Sequence, residues 1–115
     1  MPVEWLIEKA ATAGAGGDVT RWVPFDIFET PFNVGFGVTI SNSGAAVFRV
    51  EHTFDNVLDA DVSAVSFIHA DVSAANGNVD GNYAFQVRAA RLAVVSVSAS
   101  CNIAFRGIQA GSRGT

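Results

Sequence analysis

The sequence predicts an all-β protein: an antiparallel β-sandwich, jelly-roll-like, or a small barrel, preceded by an N-terminal arm. Three observations carry that expectation. Residues 33 to 41 alternate strictly, with Val34, Phe36, Val38 and Ile40 on one side and Gly35, Gly37, Thr39 and Ser41 on the other. Residues 82 to 88 alternate again, setting Tyr83, Phe85 and Val87 against Asn82, Gln86 and Arg88. A period of two is the mark of a strand with one buried face. Clusters of turn residues recur between such stretches, as in antiparallel sandwiches and barrels.

In chain order, residues 1 to 20 read as the arm. Val3 to Ala11 suits one or two helical turns, too short to hold alone, and Gly14-Ala15-Gly16-Gly17 reads as a flexible hinge. Trp5, Leu6 and Ile7 are costly to leave in water, so the arm docks either on a neighbour or back on its own domain. The domain proper spans 21 to 111. Residues 21 to 32 contain Pro24 and Pro31, which suits an edge strand or extended lead-in. Trp22, Phe25, Phe28 and Phe32 are expected to close one end of the core.

Residues 33 to 54 read as a hairpin, turning at Asn42-Ser43-Gly44 with Gly44 at positive φ. In its second strand Phe48, Val50 and Phe54 face inward, and Arg49, Glu51 and Thr53 outward. Residues 55 to 61 form an acidic loop. Residues 62 to 70 give a short strand around Val65, Phe67 and His69, followed by loop to Gly81. The long stretch from Asn82 changes register near Ala89-Ala90, where a bend, bulge or tight turn is expected. Ser98-Ala99-Ser100 is a turn. Residues 101 to 108 are the last strand, with Cys101 in phase with Ile103 and Phe105. Residues 112 to 115 are a tail.

Composition narrows the function classes. The 115 residues suffice for one domain with a real core. Only 16% of residues are charged, against about 25% in a usual soluble domain, so the outer faces are largely neutral. That suits coverage by other subunits; a mildly hydrophobic monomer is the alternative. The net charge of −4 speaks against nucleic acid as a partner. Residues 1 to 80 hold three basic groups and all eleven acids, whereas residues 81 to 115 hold Arg88, Arg91, Arg106 and Arg113 and no acid. Pairing within the fold or between subunits would each use that asymmetry. The start reads as no secretory signal, and no apolar run reaches membrane-span length.

No chemistry-bearing set emerges. Cys101 is the sole cysteine, so it reads as a small core residue rather than a disulfide or metal partner. His52, Asp55, His69 and Asp71 lie in different segments, with nothing to impose ligand geometry. Asn76-x-Asn78-x-Asp80-Gly81 resembles half a calcium loop, but Val87 stands where a bidentate glutamate is needed. There is no nucleophile elbow and no phosphate-binding glycine loop. Arg88, Arg91 and Arg106 near Tyr83 and Phe85 would suit single-stranded nucleic acid, yet both aromatics share the inward parity. No catalytic residue, cofactor or metal is expected.

Val50-Glu51-His52-Thr53-Phe54-Asp55 resembles the V-x-x-T-F-D of small virion-associated proteins encoded among the structural genes of tailed bacteriophages. Ser66-Phe67-Ile68-His69 and the block from Ala75 to Leu92 resemble the stretches that follow, the block being interrupted by a short insertion before Asp80. Val23-Pro24-Phe25, Pro31-Phe32-Asn33-Val34-Gly35 and Ile108-Gln109-Ala110-Gly111 match as well, so most of residues 22 to 111 is covered. The resemblance implies a virion component assembled in host cytoplasm. With the low charge, small-residue faces and arm, it points to a capsid decoration, or cement, protein. The partners would be the major capsid protein and further copies of this chain, with Trp5, Leu6, Ile7 and Trp22 as contacts. A fibre or adaptor module binding a receptor or glycan is the second reading.

Overall fold

The computed structural model describes residues 3–59 and 61–109. Eight strands form among them: β1 (Val3–Ala11), β2 (Val23–Pro24), β3 (Val34–Ile40), β4 (Ala46–Thr53), β5 (Phe67–Ile68), β6 (Val79–Tyr83), β7 (Ala89–Val97) and β8 (Cys101–Gln109). They make two four-stranded antiparallel sheets, ordered β1-β8-β3-β6 and β2-β7-β4-β5. The all-β sandwich expected from the sequence is what forms, and its strand order is that of an eight-stranded jelly roll. In effect the chain is one long hairpin, with its tip between β4 and β5, rolled so that β1 meets β8, β2 meets β7 and β3 meets β6.

That topology corrects the expected hairpin over 33 to 54. β3 and β4 are consecutive but lie in opposite sheets, and Asn42-Ser43-Gly44 carries the chain across the sandwich. Gly44 does take a positive φ, 86°. The alternation of Val34, Phe36, Val38 and Ile40 correctly marks the core face. It carries no information about the partner strand, because a two-residue period is the same in a hairpin and in an arch.

The expected arm is also corrected. Val3–Ala11 is no helix but an edge strand paired along its whole length with β8. Its side chains alternate: Trp5 and Ala11 are buried, Ile7 packs partly against the core, and Glu4, Leu6 and Glu8 face out. The glycine stretch is not a loose hinge. Gly14 and Gly17 donate backbone hydrogen bonds to Val97 and Val94 of β7, and Thr20 to Leu92. Lys9 pairs with Asp18 at 3.6 Å, fastening this connection to β1. The tail at 112 to 115 and the Ala110-Gly111 ending lie outside the described residues.

Between the sheets Phe48, Val50, Leu92, Ile103, Phe105 and Tyr83 are fully enclosed, and Cys101 is buried beside them as its phase implies. Gln109 is buried too. Its side-chain oxygen accepts from Asp26 N–H and its amide donates to Asp26 C=O, both at 2.8 Å, so neither end is left unpaired. Phe25 and Phe32 close that end of the core, as expected, but Trp22 stays half-covered outside it and Phe28 stands in solvent.

Candidate functional site

One ion pair inside the fold joins the acidic and basic parts of the chain, through Arg91. Glu51, on the outer side of β4, is 3% exposed; its two carboxylate oxygens accept from Arg49 Nε and Arg91 Nε, each at 2.8 Å. Trp22 lies over Arg91, with the guanidinium 4.2 Å from the ring centre. Trp22 is therefore engaged in a cation–π contact and half-covered. Trp5 is corrected outright as a surface contact: it sits 5.4 Å from both Phe25 and Phe105, ring centre to ring centre, inside the core. Of the four expected contact residues only Leu6 is well exposed. Trp5, Leu6 and Ile7 form one apolar run in sequence, but in a strand adjacency puts neighbours on opposite faces.

A different surface gathers at the end of the sandwich formed by β5, β6 and the loops after β4 and β6. Phe54, Phe67 and Phe85 are each about half exposed, and Phe28 is 86% exposed. The first three surround one buried side chain, His52, with ring centres 5.5, 6.0 and 5.9 Å away. A recess of about 310 Å³ between Phe54 and Phe28, also lined by Ile27, Gln86, Val87 and Arg88, joins them into one patch. Leu58 and Val65 are exposed in the adjoining loop. Soluble monomers seldom leave so many large apolar side chains together in water.

Sequence reasoning misses this patch for an identifiable reason. Parity with Tyr83 and Val87 puts Phe85 inside. Strand β6 ends at Tyr83, however, and residues 84 to 88 cross to the other sheet without strand geometry, so the parity lapses there. Phe54 fails in the same way, one residue beyond the end of β4. The aromatic residues just past the strand ends are the signal that could have found it.

Under the patch lies a buried polar core. Tyr83 O–H is 2.9 Å from His52 Nδ1, and the Tyr83 ring stands between His52 and His69, 5.0 and 4.8 Å away. His69 donates from Nε2 to the Asn82 carbonyl at 3.0 Å and accepts at Nδ1 from the Asp71 N–H at 3.2 Å, which fixes it as the Nε2–H tautomer. Both of its nitrogens are thus spent on backbone. Burial, reinforced by nearby Glu51, raises the Tyr83 hydroxyl far above its ordinary range, so it stays protonated. Burial, reinforced by His69, lowers His52 below 6.5.

Two histidines that the sequence leaves unrelated are brought together, but as props for a tyrosine. Among the described residues no group of three or more His, Cys, Asp or Glu side chains converges. The calcium-loop fragment is likewise structural: Asn78 Oδ1 accepts from Ile40 N–H at 2.9 Å, and Asp80 lies on the outer face of β6.

A pH dependence follows. The folded state holds His52 neutral more firmly than the unfolded chain does, so the unfolded state binds more protons below pH 6.5. Stability is therefore expected to fall as pH drops through 6.5, the loss levelling off below the depressed folded-state value. Urea midpoints taken between pH 7.5 and 5 should show this decline in the wild type and a shallower one in His52→Gln. Equal slopes would remove His52 from the account.

No family model matches this chain, and no curated protein matches it. Among solved structures it is similar to a chain from Bacillus endospore appendages, described as a novel family of disulfide-linked pili. The two are 9% identical, with a TM-score of 0.44, and the match covers 96% of this chain and 89% of the other.

Proposed function

We propose that this chain is a structural component of a phage virion, a capsid decoration protein that binds the shell through its aromatic end. One observation supports a binding role above all: Phe28, Phe54, Phe67 and Phe85 are exposed together on an otherwise well-packed sandwich. Their partner should be a complementary apolar surface, since covering a half-exposed phenylalanine gains roughly 1–2 kcal/mol. Repetition by symmetry multiplies modest contacts into shell stability. The resemblance of residues 22 to 111 to phage virion-associated proteins supports a virion component, and the low charge and small-residue faces support the shell as that surface.

Deleting residues 1 to 17 is no clean test, because it removes an edge strand and Trp5. Phe54→Ser with Phe85→Ser is better, since both side chains lie outside the core. Capsids lacking the chain, incubated with purified protein and sedimented, should retain at least tenfold less of the double variant than of the wild type. Undiminished retention would end this assignment.

The recess between Phe28 and Phe54, with Arg88 at its edge, favours a second reading, a fibre or adaptor module that binds a glycan. Binding on a glycan array that disappears with Phe28→Ser would select it.

A further inference from the structure

A two-sheet sandwich has four edge strands, each able to template pairing with another chain unless it is blunted. Three are blunted here. β2 has two residues, one of them Pro24. β5 also has two. β6 has five, and the carbonyl of Asn82 within it is taken by His69. β1 is unlike them: nine residues, without proline or bulge, in unbroken register with β8. Among the described residues, no backbone group of β1 bonds to anything except β8.

The register identifies which groups are free. Ser41 N–H donates to the Asn102 carbonyl at 3.0 Å, so Asn102 directs its backbone toward β3. Directions alternate along a strand, so Cys101, Ile103, Phe105 and Gly107 direct theirs toward β1. Opposite these stand Ala11, Lys9, Ile7 and Trp5. The intervening residues Glu4, Leu6, Glu8 and Ala10 therefore aim their N–H and C=O groups away from the sheet, along an open edge. Leu6 and Ile108 are exposed on the sheet face beside that edge.

We propose that β1 pairs antiparallel with β1 of a second copy, across a two-fold axis at Ile7, joining two four-stranded sheets into one of eight. The sequence of β1 selects this register. With Ile7 on the axis all nine residues overlap, Val3 facing Ala11 of the second copy. Glu4 then faces Ala10 and Leu6 faces Glu8, so every free N–H and C=O on both edges is used. No like charges stand directly opposite, a juxtaposition that weakens cross-strand pairs. Shifting the axis to Leu6 sets Glu4 against Glu8 on both sides, and shifting it to Glu8 sets that carboxylate against its own copy. The interface is isologous and closed, giving a dimer rather than a fibre. This pairing is a property of the isolated chain and does not rest on the virion reading.

The test uses purified full-length protein. Sedimentation equilibrium should show a dimer. Glu8→Pro removes one outward N–H and no bond to β8, a position where an edge strand tolerates proline. It should keep the β-sheet circular dichroism and raise the dimer dissociation constant at least a hundredfold. Ile7→Cys should form an intermolecular disulfide on mild oxidation, the axis bringing the two thiols together, whereas Leu6→Cys and the wild type with buried Cys101 should not. That cross-link decides the matter if the proline variant fails to fold. A wild type monomeric at millimolar concentration, a dimer indifferent to Glu8→Pro, or cross-linking at Leu6→Cys in preference to Ile7→Cys would each overturn the proposal. Capsid retention by an obligate monomer would leave shell binding intact, so the two assignments fail separately.

Discussion

Replacing Phe105 with alanine is expected to cost about 3–5 kcal/mol, the range for emptying a buried phenylalanine site. The side chain is fully enclosed at the centre of β8, between Ile7 on one side and Val38 on the other. Its ring meets Trp5 at 5.4 Å and Phe36 at 6.0 Å. Both are ring systems that cannot flow into the space it leaves, so little of the cavity closes. Since small domains hold only about 5–15 kcal/mol in total, the variant should sit near the limit of folding. Denaturant unfolding measures the loss. Phe85→Ala is the built-in comparison: the exposed ring should cost under about 1 kcal/mol. Equal losses at the two positions would contradict the placement of Phe85 outside the core.

Gly107→Ala should be nearly as damaging although it adds a single methyl group. Gly107 lies on the inner side of β8, directly beneath the Trp5 indole. A Cβ there would stand 2.4 Å from the indole carbons and 2.5 Å from the Gly35 carbonyl oxygen. The indole has some freedom to tilt; the carbonyl belongs to the adjacent strand β3 and has none. Overpacking of this kind costs about 1–3 kcal/mol, and the backbone clash places the variant at the upper end. Pairing it with Trp5→Leu separates the two contacts. The double variant should recover only part of the loss, because the Gly35 clash persists. Full recovery would mean that the indole alone required glycine.

Much of the fold is legible in the sequence itself. The alternation of Val34 to Ile40, the phase of Cys101 with Ile103 and Phe105, the turn at Gly44 and the proline-marked edge at Val23-Pro24 all follow from local rules. What is not legible depends on contacts distant along the chain. Val3–Ala11 contains Glu, Leu, Lys and Ala, good helix formers. Its strand geometry comes from nine backbone partners on β8, roughly a hundred residues away. The partner of β3 cannot be read from β3 itself. At the candidate site, the exposed phenylalanines are hidden when strand parity is extended beyond the strand ends. Glu51 belongs on the outer side of β4, as its parity indicates, but it is buried in company with Arg49 of its own strand and Arg91 of the adjacent β7, a partner forty residues away.

The rolled-hairpin layout also fixes the order of events during synthesis. Among these eight strands β1 leaves the ribosome first and its mate β8 last, so the two meet only after the six strands between them have been made. Until then Trp5 lacks its contact with Phe105, and a nine-residue stretch with an open ladder on both sides waits in the cell. Such closure of distant segments makes folding slow, in the millisecond-to-second range. A message truncated after Val97 would yield a chain whose first strand can never be sheltered, and nascent copies crowded on a polysome would meet with those strands bare.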